Sequence, residues 1–182
     1  MTTEADAPVP PERIIDDFSE VDRAADSPWR FLGDRVMGGV SHGSAAVEVV
    51  AGRRALRLTG RVSLERGGGF IQLVRPLTQG QGRPLDASGW RGIGAMVRGG
   101  PGSYFLHLRT EDTRAPWQHY SASLPVDGTW RSVELTWSEF VPISIRRPLD
   151  VSKLLRVGLV AGRAAFQADI ALARLSLLPR CS

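Results

Sequence analysis

Apolar and polar residues alternate with a period of two along much of this chain. The clearest run spans residues 55–65. There Leu56, Leu58, Gly60, Val62 and Leu64 alternate with Arg57, Thr59, Arg61, Ser63 and Glu65. Successive side chains of a strand point to opposite faces, so this run predicts a strand with one buried and one wet face. A shorter strand at 46–50 precedes it, with a turn at 51–53. Residues 70–74 are almost wholly apolar and predict a central strand. Further strands are predicted at 93–98, 104–110, 119–126, 131–137, 154–160 and 166–178. In 104–110, Tyr104, Leu106 and Leu108 share one face, and Phe105, His107 and Arg109 share the other. Asp127-Gly128 between two strands predicts a hairpin. In the last strand Phe166, Ala168, Ile170 and Leu172 are in phase but Leu175 and Leu177 are not, which predicts a bulge near Ala173. Two short stretches, 14–21 and 150–155, read as helical, the second capped by Asp150.

Many short strands separated by Gly and Pro turns predict an all-β sandwich or barrel. A chain of 182 residues is long enough to bury a core without disulfides or metals. The organisation predicted is a disordered acidic, Pro-containing tail at 1–13, one β-sandwich domain at 14–178 and a short tail at 179–182. The single cysteine, Cys181, excludes an internal disulfide and a Cys-based metal site. The N-terminal residues lack a basic segment and an apolar run, so neither a signal nor a transit peptide is expected, and the predicted location is cytoplasmic. No apolar run is long enough for a membrane span.

Charge is unevenly placed. Residues 1–26 carry a net charge of −6 and the remainder +10. The basic side chains are 22 arginines and one lysine, Lys153, and they are scattered rather than clustered, so nucleic-acid binding is not expected. The Trp and Tyr content raises the prospect of stacking on sugar rings. Trp137 is expected in the core, and Trp117, in the polar loop 113–119, is expected to be exposed.

Catalytic motifs are largely absent from the sequence. The only lysine is not in a phosphate-binding loop, the three histidines are far apart, and no cofactor fingerprint occurs. Gly39-Val40-Ser41-His42-Gly43 matches the Gly-x-Ser-x-Gly pattern of a nucleophile elbow. That elbow needs a strand before the serine and a helix after it. Neither is predicted here, and the glycines are read as supplying positive φ in a tight loop. The expectation is a non-enzymatic protein without cofactor or metal.

One set of segments resembles a known family. Trp29 followed by Asp34-Arg35-Val36-Met37-Gly38-Gly39-Val40-Ser41 is similar to the signature of the complex I intermediate-associated protein family. Residues 58–64, then Gly68-Gly69-Phe70 with Arg75, then residues 86–93, 104–109, Trp130 and Phe140 extend the resemblance over about 15–178. The resemblance implies a galactose-binding-like jelly roll. It also implies a role like that of the mitochondrial members, which help assemble respiratory complex I without enzymatic activity. Plant relatives join this domain to a dinucleotide-binding one, and this chain lacks that fingerprint, so the module alone is expected.

The candidate binding residues are Trp29, Asp34, Arg35, Met37, Gly38, Gly39, Ser41, Phe70, Arg75, His107, Arg109 and Trp117. Two readings of them stay open. In one, Asp34 pairs with Arg75 or Arg109 and pins its loop to the sheet, because an arginine on a partly apolar strand face needs a partner. In the other, some of these groups stay free and grip a peptide or a small polar ligand. The function classes carried forward are a protein-binding module for subunits of a membrane oxidoreductase, and a sugar- or polyanion-binding module.

Overall fold

The computed structural model describes residues 8–21, 23 and 26–181. The alternating segments assemble into two antiparallel sheets that enclose one apolar core. The first sheet runs β3 (His42–Val50), β4 (Arg53–Val62), β12 (Phe166–Pro179), β6 (Trp90–Gly99) and β9 (Arg131–Thr136), with β1 (Arg13–Asp16) paired to the far end of β12. The second runs β10 (Val141–Ile143), β8 (His119–Ser123), β7 (Tyr104–Thr110), β11 (Leu154–Gly162), β5 (Phe70–Pro76) and β2 (Arg30–Gly33). This is the jelly-roll β-sandwich that the strand pattern and the resemblance predict.

Period-two patterning explains which face each strand buries. Leu56 and Leu58 of β4, Ile93 and Val97 of β6, Leu106 and Leu108 of β7, and Leu159 of β11 are fully buried between the sheets. β12 carries the expected bulge: its register against β6 shifts between Leu172 and Arg174. The extra residue resets the alternation, so Ile170 and Leu172 before it and Leu175 and Leu177 after it all reach the core. Deleting one residue here would turn the last two outward, a loss of about 3–6 kcal/mol at roughly 1.5–3 kcal/mol per buried leucine.

Four expectations change. The Asp127-Gly128 hairpin does not form, because β8 lies in the second sheet and β9 in the first. Asp127 instead accepts hydrogen bonds from the backbone N–H and hydroxyl of Thr129 (2.9 and 2.6 Å) in a turn that carries the chain between sheets. Residues 14–21 are not helical. They supply the end of β1, after which Asp16 Oδ1 accepts from the Phe18 N–H at 2.9 Å and Phe18 drops into the core beside Trp29. The predicted tail at 1–13 is docked over its described part. The Trp90 indole donates to the Pro11 carbonyl at 2.9 Å, and Glu12 pairs with Arg174 at 2.7 Å. Residues 1–7 of that tail lie outside the described residues. The expected helix at 150–155 shrinks to one 3-10 turn, Val151–Lys153, capped as predicted by Asp150.

Among the described residues no helix is long and apolar enough to cross a membrane.

Candidate functional site

The side of the second sheet that faces away from the core carries a cleft of about 520 Å³. Its floor follows from the alternation of the strands. On β7 the core takes Tyr104, Leu106 and Leu108, which leaves Phe105, His107 and Arg109 for the cleft. On β5 the same rule assigns Phe70, Gln72 and Val74, and on β11 Arg156, Gly158 and Val160. Antiparallel register then sets Arg156 opposite Arg109 and Gly158 opposite His107. The walls come from three connections. Val36 and Met37 sit in the 3-10 turn Asp34–Met37 that follows β2. Pro116 and Trp117 belong to the loop between β7 and β8, and Arg163 follows β11.

The rim is apolar and open to solvent. Val36 is 77% exposed, Met37 58% and Trp117 64%. The floor is basic. Arg109 donates to the carbonyls of Thr113 (2.9 Å) and Ala115 (3.0 Å), which moulds the loop that presents Trp117. Arg163 lies over the Phe105 ring, 4.0 Å from its centroid, and donates to the Ser121 hydroxyl at 2.9 Å. Arg156 has no side-chain partner among the described residues. Burial lowers the pKa of both Arg109 and Arg156, and for Arg156 the neighbouring Arg109 charge adds to the effect.

His107 and His119 stack with ring centroids 4.0 Å apart. Nδ1 of His119 lies 3.0 Å from the Trp117 carbonyl and so carries the proton, while the Nε2 atoms of both rings are buried without a partner among the described residues. Burial, reinforced by His119 and Arg163, pulls His107 down to about 2, so its ring is neutral at ordinary pH. Burial likewise lowers His119.

Beneath the rim lies a buried carboxylate clamp. Asp34 is fully buried. One of its oxygens accepts the Ser41 N–H at 3.0 Å. The other accepts the Ser41 hydroxyl at 2.5 Å, the Gly69 N–H at 2.7 Å and the Phe70 N–H at 3.4 Å. Burial pushes its pKa up, but these donated bonds outweigh burial and hold it below the ordinary carboxylate value. The clamp explains the glycines around it. A Cβ at Gly39 would come within 2.4 Å of the Asp34 carboxyl, and one at Gly68 within 2.4 Å of its Oδ2. Gly38 alone in this turn needs its left-handed backbone (φ 88). Gly39 and Gly43 are there for close approach rather than for the positive φ expected of them.

The twelve sequence candidates therefore separate. Met37, Phe70, His107, Arg109 and Trp117 come together in the cleft. Arg35 and Gly38 are exposed on the turn beside it. Asp34, Gly39 and Ser41 are buried under it, as the clamp. Trp29 and Arg75 meet elsewhere, at Asp16: the Trp29 indole donates to it at 3.0 Å and Arg75 at 2.7 Å. Trp29 is 3% exposed and belongs to the core. The predicted pairing of Asp34 with Arg75 or Arg109 is absent; backbone N–H groups and Ser41 satisfy the carboxylate instead. Sequence reasoning passed over Arg156, Arg163, His119 and Gln72. Extending the outward face of β7 to its neighbours on both sides would have found His119 on β8 and Arg156 on β11.

Residues 17–172 match the family model described as Complex I intermediate-associated protein 30 (CIA30). The chain belongs to that family. No curated protein matches it in sequence. Among solved structures, this CIA30-family fold is similar to the family 11 carbohydrate-binding module of the cellulosomal cellulase Lic26A-Cel5E of Clostridium thermocellum. The TM-score is 0.72 at 15% identity, over 94% of this chain and 96% of that one. A family 11 module from Clostridium thermocellum in complex with a β-1,3-1,4-mixed-linked tetrasaccharide gives 0.67 at 14% identity, over 95% and 97%. An exo-β-agarase structure gives 0.61 at 15% identity, over 92% of this chain and 26% of that one. At such identities the likeness is one of fold.

Proposed function

We propose that this CIA30-family chain is a non-catalytic binding module that holds a partner protein against the cleft of its second sheet, acting as a scaffold or chaperone for subunits of a respiratory NADH:ubiquinone oxidoreductase. The observation that carries this reading is the family match over residues 17–172. The cleft supports it. Exposed Val36, Met37 and Trp117 form the kind of apolar rim that a protein surface covers. The serine in the nucleophile-like motif supports a binding role too, because Ser41 is 1% exposed and donates its hydroxyl proton to Asp34 rather than to a histidine base. The test is affinity purification of the tagged chain from its native cell after mild cross-linking. Oxidoreductase subunits are expected in the wild-type sample and depleted by Met37→Ser with Trp117→Ala. Their absence from the wild-type sample refutes the reading.

A second reading, a carbohydrate-binding module, is favoured by one observation: the outward face of a fold similar to such modules presents an exposed tryptophan. Retention on a glycan array that Trp117→Ala abolishes would establish it in place of the first.

A further inference from the structure

Five arginines elsewhere on the two sheets sit beside carboxylates. Arg57 pairs with Asp169 and Glu48, Arg75 with Asp16, Arg91 with Glu134, Arg131 with Asp127 and Arg174 with Glu12. The cleft differs from those five positions. Arg109, Arg156 and Arg163 all line it, no carboxylate lines it, and none of the three has an acidic partner among the described residues. Arg109 and Arg156 are moreover direct cross-strand neighbours. Like charges directly opposite one another destabilise a sheet, so the fold carries an electrostatic cost here that its own side chains do not offset.

We infer that the cleft selects an acidic segment of its protein partner, with carboxylates seated at Arg156 and Arg163 and apolar side chains resting on the Val36, Met37 and Trp117 rim. The inference rests on the protein-binding reading above and specifies the chemistry of the partner. Charge complementarity argues for it: a carboxylate between the guanidinium groups would form the charge-assisted bonds that the chain leaves unmade. Partial burial of Arg109 and Arg156 reduces competition from water, which strengthens those bonds. The walls favour a peptide over a saccharide. Flat sugar rings want aromatic platforms, and Trp117 is the one exposed aromatic lining the cleft among the described residues, the rest of its rim being aliphatic. A peptide with alternating acidic and apolar residues meets both the floor and the rim.

The test is calorimetric titration of the full chain with two blocked heptapeptides, one alternating Leu with Glu and the other Leu with Gln. The Leu/Glu peptide is expected to bind at least about tenfold more tightly, with an advantage that shrinks as salt is added. Arg156→Gln and Arg156→Met, which keeps the apolar stem, should each remove most of that advantage. Arg131→Gln on the other sheet should leave it unchanged. Equal affinity for the two peptides, lost in Trp117→Ala, overturns the acidic selection and leaves the protein-binding reading standing. Binding of neither peptide overturns the inference. Binding of a mixed-linked glucan oligosaccharide in place of both peptides overturns the inference and the protein-binding reading together.

Discussion

Replacing Asp34 with asparagine should destabilise the protein and alter how its stability depends on pH. The carboxylate is fully buried and accepts four hydrogen bonds, from the Ser41 N–H and hydroxyl and from the N–H groups of Gly69 and Phe70. Hydrogen bonds to a charged group contribute roughly 1.5–3 kcal/mol each, and a buried donor left unpaired costs about 1–3 kcal/mol. These terms are not additive. The amide still offers one acceptor oxygen, but its NH₂ points donor against donor on the other side. A net loss of about 4 kcal/mol is therefore expected, which for a chain of this length lowers Tm by roughly 8–16 °C. The sign of the pH effect follows from the depressed pKa. The folded carboxylate resists protonation more than the unfolded one, so its stabilisation is complete above the unfolded value and disappears as pH falls through the folded value. Melting followed by circular dichroism should show a wide gap between wild type and Asp34→Asn at pH 7 that narrows below about pH 4. A variant that melts within about 2 °C of wild type at pH 7 would refute the clamp.

Three other outcomes follow from the same geometry. Gly68→Ala should cost about 2 kcal/mol or more, because its Cβ would stand 2.4 Å from Asp34 Oδ2; chemical denaturation measures it, and Gly128→Ala, with nothing near its Cβ, is the control. Trp117→Ala should leave Tm within about 1 °C of wild type, since its side chain is mostly exposed, while weakening any cleft ligand; an unchanged titration would remove Trp117 from the site. His107 is held neutral by burial down to about pH 2. Stability should therefore fall as pH drops below the unfolded imidazole value of about 6.5, where only the unfolded chain takes up the proton. His107→Gln should flatten the melting curve between about pH 6.5 and 4.5, and an unaltered slope would contradict the assignment.

Period-two alternation made most strands readable, because a half-buried strand leaves the same mark wherever it lies. That generality is also why the Asp127-Gly128 turn misled. Two alternating strands joined by Asp-Gly look alike whether they pair with each other or, as β8 and β9 do, belong to opposite sheets. The cleft was half visible. Phe105, His107 and Arg109 share a face within one strand, but Arg156 joins them through a register that pairs it with Arg109 across the sheet. The sequence draws attention to Asp34 but suggests the wrong partners for it. An acidic residue in a sequence invites a search for a basic one, whereas the groups that hold it are mainly N–H donors of Ser41, Gly69 and Phe70, which every residue but proline carries.

β12 pairs with β4 along its first half, with β6 along most of its length and with β1 near its end. During synthesis, three strands of the first sheet thus emerge long before their common partner. Leu56 waits for Leu172, and Arg13 waits for Leu177. Such contacts between distant positions make folding slow and leave strand edges exposed in the nascent chain. Folding of the first sheet would therefore depend on the nascent chain being shielded until residues 166–179 have left the ribosome.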